Sequence, residues 1–179
     1  MITNNEIEAR VATAQELFKQ GFNCSQSVFA ACADLYGITD LNLALRLGAS
    51  FGGGIGRMRL TCGAACGMFL LAGLENGSSA PGDAEGKKRN YELVQRLAAD
   101  FKSEYGSITC ADLLGLTVKR SFSDSDLTAQ RSFSPADGPT PSERTAEYYR
   151  KRPCVEMVGN AVRIYLTAVG GLTVKRSNS

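Results

Sequence analysis

The sequence predicts an all-α fold, a compact single-domain helical bundle over residues 1–179 with a long loop excursion before its last helix. Three observations point there. Apolar residues recur every three or four positions through most of the long segments. No stretch alternates apolar and polar residues well enough to read as a strand. Capping residues and glycines stand where the periodic segments start and stop. With 179 residues, 44% of them hydrophobic, the chain can bury a core without disulfides in place of one.

Residues 5–20 read as an amphipathic helix, with Ile7, Val11, Ala14, Leu17 and Phe18 on one stripe and Gly21 as its stop. Asn23 is the expected cap of a second helix through about Tyr36, with Cys24 at its first position and Val28, Cys32 and Leu35 facing inward. Gly37 closes it, and a short third helix runs from about Asp40 to Ala49. FGGGIGRM (Phe51 to Met58) matches neither a Rossmann nor a P-loop fingerprint, because no β run precedes it and no GK[ST] follows. It reads as a loop whose glycines permit positive φ and let the backbone approach whatever Cys62 holds.

In RMRLTCGAACG (Arg57 to Gly67), Thr61 is the expected N-cap, placing Cys62 in the first turn of a helix to about Leu74 that Asn76-Gly77 ends. A thiol in that position ionises more easily than a free one. Asp83 to Tyr105 forms the longest helix, with Tyr91, Leu93, Val94, Leu97, Ala98 and Phe101 on its apolar side and Gly106 as its end. Thr109 caps a short helix with Cys110 just inside it. Residues 115–141 are rich in Ser, Asp, Thr and Pro and lack periodicity, so they read as a long surface loop. Residues 142–150 make another short helix; Tyr148, Tyr149, Arg150, Lys151 and Arg152 read as a solvated basic-aromatic face. Pro153 suits the first turn of a last helix from Cys154 to about Val169, with Val155, Val158, Val162, Leu166 and Val169 on its apolar side. The heptapeptide GLTVKRS occurs at 115–121 and again in the tail, too short a match to make a structural repeat.

Composition removes several function classes. The net charge of +2 has its signs interspersed, so neither nucleic acid nor an anionic membrane is an expected partner. MITNNEIEAR lacks the basic and apolar regions of a signal peptide, and no apolar run approaches the roughly 20 residues of a membrane helix. The expectation is a soluble, cytoplasmic protein. Histidine is absent, which removes the Cys–His nucleophile pair and every His-containing zinc or haem site. Six cysteines without a secretory signal point to metal binding or redox chemistry.

Four of those cysteines share a local pattern. Asn23-Cys24, Thr61-Cys62, Thr109-Cys110 and Pro153-Cys154 each set a cysteine in the first turn of an expected helix. Converging helix starts would stabilise several thiolates or an anionic iron–sulfur cluster. Their intervals of 38, 48 and 44 residues are far from CxxC spacing, so any shared site is assembled only by folding. Cys32 reads as a core residue. Cys66, four residues after Cys62, is placed to resolve a disulfide or to act as an extra ligand.

The segment Cys62-Gly63-Ala64-Ala65-Cys66-Gly67 matches a CGAxxG motif. With the upstream cysteine in NCSQSV and two later single cysteines, residues 12–168 resemble the C_GCAxxG_C_C family, named for an inferred redox activity. The resemblance implies that Cys24, Cys62, Cys110 and Cys154 are the four characteristic cysteines, with Cys32 and Cys66 outside that set. The family is also similar to the cluster-bearing domain of split-Soret cytochrome c, which implies a helical fold and iron–sulfur binding. Haem does not carry over, because this chain has neither histidine nor CxxCH.

Three readings follow. In the first, Cys24, Cys62, Cys110 and Cys154 hold an iron–sulfur cluster for electron transfer, or zinc as the redox-silent counterpart. In the second, a cofactor-free thiol–disulfide oxidoreductase uses Cys62 as nucleophile, with Arg57 and Arg59 as the cations nearest to it in sequence. In the third, the chain is a non-catalytic helical interaction protein whose cysteines only pack. A redox partner of unknown identity and a second copy of the chain are the partners these readings admit.

Overall fold

The computed structural model describes residues 2–116 and 138–170. Most of the expected 115–141 loop and the second GLTVKRS lie outside the described residues. What is described is all-α. Eight α-helices run in order: α1 (Asn4–Lys19), α2 (Cys24–Ala30), α3 (Leu41–Gly48), α4 (Gly63–Asn76), α5 (Ala84–Tyr105), α6 (Cys110–Leu113), α7 (Ala146–Lys151) and α8 (Cys154–Gly170). Among the described residues the only β pairing is an isolated antiparallel bridge between Thr61 and Thr109. None of these helices is long and apolar enough to cross a membrane.

α4 lies at the centre, packed against α2, α5 and α8, while α1 lies along α8. Its first half is buried on every side, from Gly63 through Met68, as expected of a helix that is apolar all round. The α1 stripe is buried as its spacing predicts, and Thr3 with Glu6 forms a capping box at its start. α8 contributes Val158, Val162, Leu166 and Val169 to the same core. Each large apolar side chain buried there is worth about 1.5–3 kcal/mol, and Phe18, Phe101 and Leu97 are essentially inaccessible.

Two expected elements differ. The second helix stops at Ala30 and continues as a 3-10 turn, Ala33–Tyr36. Arg10 explains the break: its guanidinium donates to the Ala31 carbonyl (2.8 Å) and forks onto Asp34 (2.6 and 2.9 Å). The Leu35 amide therefore turns back to Cys32 O instead of Ala31 O. On α5, Tyr91 is 61% exposed although its apolar character placed it on the inner stripe. Leu93, Leu97 and Phe101 recur every four residues and define that stripe, and Tyr91 lies about 200° around the helix from Leu93.

A candidate redox centre

The Thr61–Thr109 bridge is the first support of the centre. Cys62 N donates to Ile108 O (2.7 Å) and Cys110 N donates to Leu60 O (2.6 Å), so two distant cysteines are tied to one short extended pairing. This pairing also corrects the expected cap. Thr61 is drawn into extended backbone, α4 starts at Gly63, and Cys62 itself is the N-cap residue, not a first-turn residue. Cys24 and Cys110 do stand at the first positions of α2 and α6, behind Asn23 and Thr109. Asn23 caps α2 in a reciprocal box with Gln26. Cys154 begins α8, whose first helical bond runs from Met157 N to Pro153 O (3.0 Å).

These four helix starts converge. Cys24 lies close enough to Cys154 to donate a hydrogen bond to its thiolate, and Cys62 and Cys110 lie within electrostatic reach of both. Two glycines make the approach close enough. A Cβ on Gly63 would lie 3.1 Å from Cys24 Cβ and 2.9 Å from Phe51 O. A Cβ on Gly54 would lie 2.6 Å from Cys110 Cβ. The glycine loop thus approaches Cys110 directly, with Cys62 brought in through the bridge.

Charge around the thiols is positive. Arg59, only 7% exposed, donates from Nη1 towards Cys110 Sγ at 4.0 Å. The Arg144 guanidinium lies 4.4 Å from the Phe18 ring centre and 4.9 Å from that of Tyr148, and the Arg152 guanidinium lies 4.7 Å from the same Tyr148 ring centre. Arg152, Arg144 and Arg59 all act on Cys154. Tyr148, Tyr149 and Arg152 are therefore a half-buried brace beside Cys154, with Tyr148 and Tyr149 packed against the core, while Arg150 stays exposed. This is the part of the site that sequence reasoning missed; its one signal was adjacency to Cys154. Arg57 turns elsewhere, donating to Ser142 Oγ at 3.2 Å.

The thiols do not ionise alike. Burial pushes Cys62 up to about 12 against the opposing pull of the Ala64 and Ala65 amides, so it is not the easily ionised thiol its position suggested. Burial likewise raises Cys110, and Cys66 to about 11. Cys154 is pushed down, first by its hydrogen bond from Cys24 and then by the arginines, while Cys24 is pushed up by the same bond and by burial. Cys66, whose thiol donates to Thr61 O at 3.8 Å, is a fifth thiol near Cys110. Cys32 lies apart, beside Arg10 and Asp34.

The four sulfurs act electrostatically on one another, and arginines act on Cys110 and Cys154. Two buried polar atoms nearby in sequence, Ser25 Oγ and Arg57 Nε, have no hydrogen-bond partner among the described residues. Among the described residues, no three Cys, Asp or Glu side chains close around one metal ion. A single zinc would need sulfurs roughly 3.8 Å apart, given Zn–S bonds of about 2.3 Å in a tetrahedron. A [4Fe–4S] cluster takes one thiolate on each of its irons and accepts wider spacing. All four donors are cysteines, the ligand type that iron–sulfur clusters take.

No curated protein and no solved structure matches the chain. The family model C_GCAxxG_C_C, described as "Putative redox-active protein", matches residues 22–167, a span that contains all six cysteines. The chain belongs to the C_GCAxxG_C_C family.

Proposed function

We propose that the protein is an electron-transfer protein whose Cys24, Cys62, Cys110 and Cys154 hold an iron–sulfur cluster. The observation that supports this is the convergence of four cysteines from four separated helix starts into one arginine-flanked neighbourhood, with Cys62 and Cys110 buried and Cys24 and Cys154 partly so. When bound, the cluster supplies reversible one-electron storage. The chain's own residues do the rest. The four sulfurs bind, and Gly54 and Gly63 let the backbone close over them. Burial of Cys62 and Cys110 limits water at the centre, and Arg59, Arg144 and Arg152 offset negative charge. Cys66 stands close enough to Cys110 to be an alternative ligand. A reducing compartment such as the cytoplasm suits such a site, and its electron donor or acceptor is a separate redox partner.

The test is visible absorption with iron and acid-labile sulfide analysis on protein purified without oxygen. Broad visible absorbance with stoichiometric iron and sulfide, lost in each of the Cys24→Ser, Cys62→Ser, Cys110→Ser and Cys154→Ser variants, is the expected result. A colourless, iron-free protein that also resists anaerobic reconstitution sinks the proposal.

One observation favours a second reading, the hydrogen bond between Cys24 and Cys154 with its opposite effects on the two thiols. In that reading Cys154, not Cys62, is the attacking thiolate. It forms a mixed disulfide with a substrate disulfide and releases one thiolate, which takes up a proton. Cys24 then loses its proton, attacks Cys154 Sγ and releases the second thiol. Two electrons pass to the substrate, the protein keeps a Cys24–Cys154 disulfide, and an external dithiol resets it. Mass mapping after oxidation of the iron-free protein distinguishes this reading, which requires Cys24–Cys154 as the dominant bridge.

A further inference from the structure

We infer that Arg59 is the positioning residue that sets the reduction potential of this centre, its buried guanidinium balancing charge at Cys110. The inference rests on the redox reading above and adds to it the residue that tunes the site.

The backbone around Arg59 is held in an unusual shape. Ile55, Arg57 and Arg59 have φ of 60°, 65° and 57°, left-handed values for three non-glycine residues within five positions. Such backbone is strained for any residue with a Cβ, and the strain persists only where the surroundings impose it. At Arg59 the imposing contacts are explicit. Its amide donates to Gly53 O (3.2 Å), and its carbonyl accepts from Ala111 N (3.2 Å), the residue after Cys110. The next residue, Leu60, donates to Gly54 O (3.0 Å) and accepts from Cys110 N (2.6 Å). The loop and the start of α6 are therefore laced together around one side chain.

That side chain is a charge in a place where charges are rare. Arg59 is 7% exposed, and its Nη1 reaches Cys110 Sγ at 4.0 Å. Gly54 maintains the fit: a Cβ there would meet Cys110 Cβ at 2.6 Å, Leu60 N at 2.8 Å and the Arg59 carbonyl carbon at 2.9 Å. Reduction adds one negative charge to the centre. Arg59 stays protonated in both states, so it takes part in no chemical step and acts only through its field and its hydrogen bond, both stronger away from water. Removing it disfavours the reduced state.

The experiment is a mediated potentiometric titration of the cluster-loaded full chain, with iron content measured alongside, for wild type, Arg59→Gln, Arg59→Lys and Gly54→Ala. Poised at the wild-type midpoint, Arg59→Gln is expected to hold about tenfold less reduced protein relative to oxidised, the effect of one charge-assisted hydrogen bond. Arg59→Lys keeps the charge and stays within about threefold of wild type. Gly54→Ala keeps the arginine but parts it from Cys110, and it shifts in the same direction as Arg59→Gln. A purely structural Arg59 predicts lost iron or stability with an unmoved midpoint in whatever folds, and that result overturns the inference. If Arg59→Gln does not fold, an unmoved midpoint in Gly54→Ala overturns it equally. If wild type binds no iron, the cluster proposal has failed. The inference is then read in a glutathione buffer, where Gly54→Ala and Arg59→Gln must shift the reduced fraction of the Cys24–Cys154 pair, on which Arg59 also acts, and Arg59→Lys must not.

Discussion

Cys32 shows what burial alone does to a thiol in this fold. It is fully buried, stands apart from the four converging cysteines, and has its ionisation pushed up to about 12. Its native state thus holds a proton that the unfolded chain releases near 9. The stability this confers is complete below pH 9 and is lost as pH rises towards the native value. Reduced, metal-free protein is therefore expected to lose stability between about pH 9 and 10, by up to about 1.4 kcal/mol per pH unit for each such thiol. Urea unfolding at the two pH values, compared between wild type and Cys32→Ala, checks this. The variant is less stable overall because of its cavity but has the shallower pH slope, and equal slopes would show that Cys32 is not protonated in the way its burial demands.

At the scale of elements, the contact between α2 and α4 depends on small residues. A Cβ on Gly67 would lie 2.7 Å from Val28 Cβ and 3.2 Å from Ser25 O. Alanine is the better helix former by about 1 kcal/mol, so an exposed Gly67 would gain from the change. Buried against α2, it cannot. Gly67→Ala is expected to destabilise by about 1–3 kcal/mol, the usual penalty of overpacking, seen as a lower urea midpoint with an unchanged m-value. Because α2 carries Cys24, the same variant should also hold less iron under the cluster reading. An unchanged or higher midpoint would mean that α2 moves freely over α4. The CGAxxG pattern shows the glycine, but only the packing of Val28 shows why alanine fails there.

Across the whole molecule, the centre draws on helix starts spread from Cys24 to Cys154, and α2, α4 and α8 also share the central core. Local fraying cannot release Cys24, Cys62 or Cys154 without disturbing that core, and a group that binds only the folded chain adds to its stability. Unfolding of cluster-loaded protein without oxygen should therefore bleach the visible absorbance and lose helical circular dichroism in one coincident transition. Iron-free protein should unfold at lower denaturant. Bleaching well before helix loss would place the sulfurs on a region that opens by itself.

Much of this was legible in the chain. The 3.6-residue periodicity of Ile7 to Phe18 and of Val158 to Val169, with the stops at Gly21 and Gly106, determined the helices locally, because each depends on neighbours within a few turns. The same grammar placed Cys24 and Cys110 at helix starts. Tertiary contacts decided the rest. Arg10, from α1, broke the second helix at Ala31, and pairing with Thr109 moved the start of α4 past Cys62. Long-range burial raised the Cys62 thiol, whereas the neighbours brought to Cys154 lowered that one. The convergence of four cysteines spaced 38, 48 and 44 residues apart belongs to the same class. Periodicity and capping are set by adjacent residues and can be read in order along a chain; the field at a sulfur depends on groups that only folding brings near it.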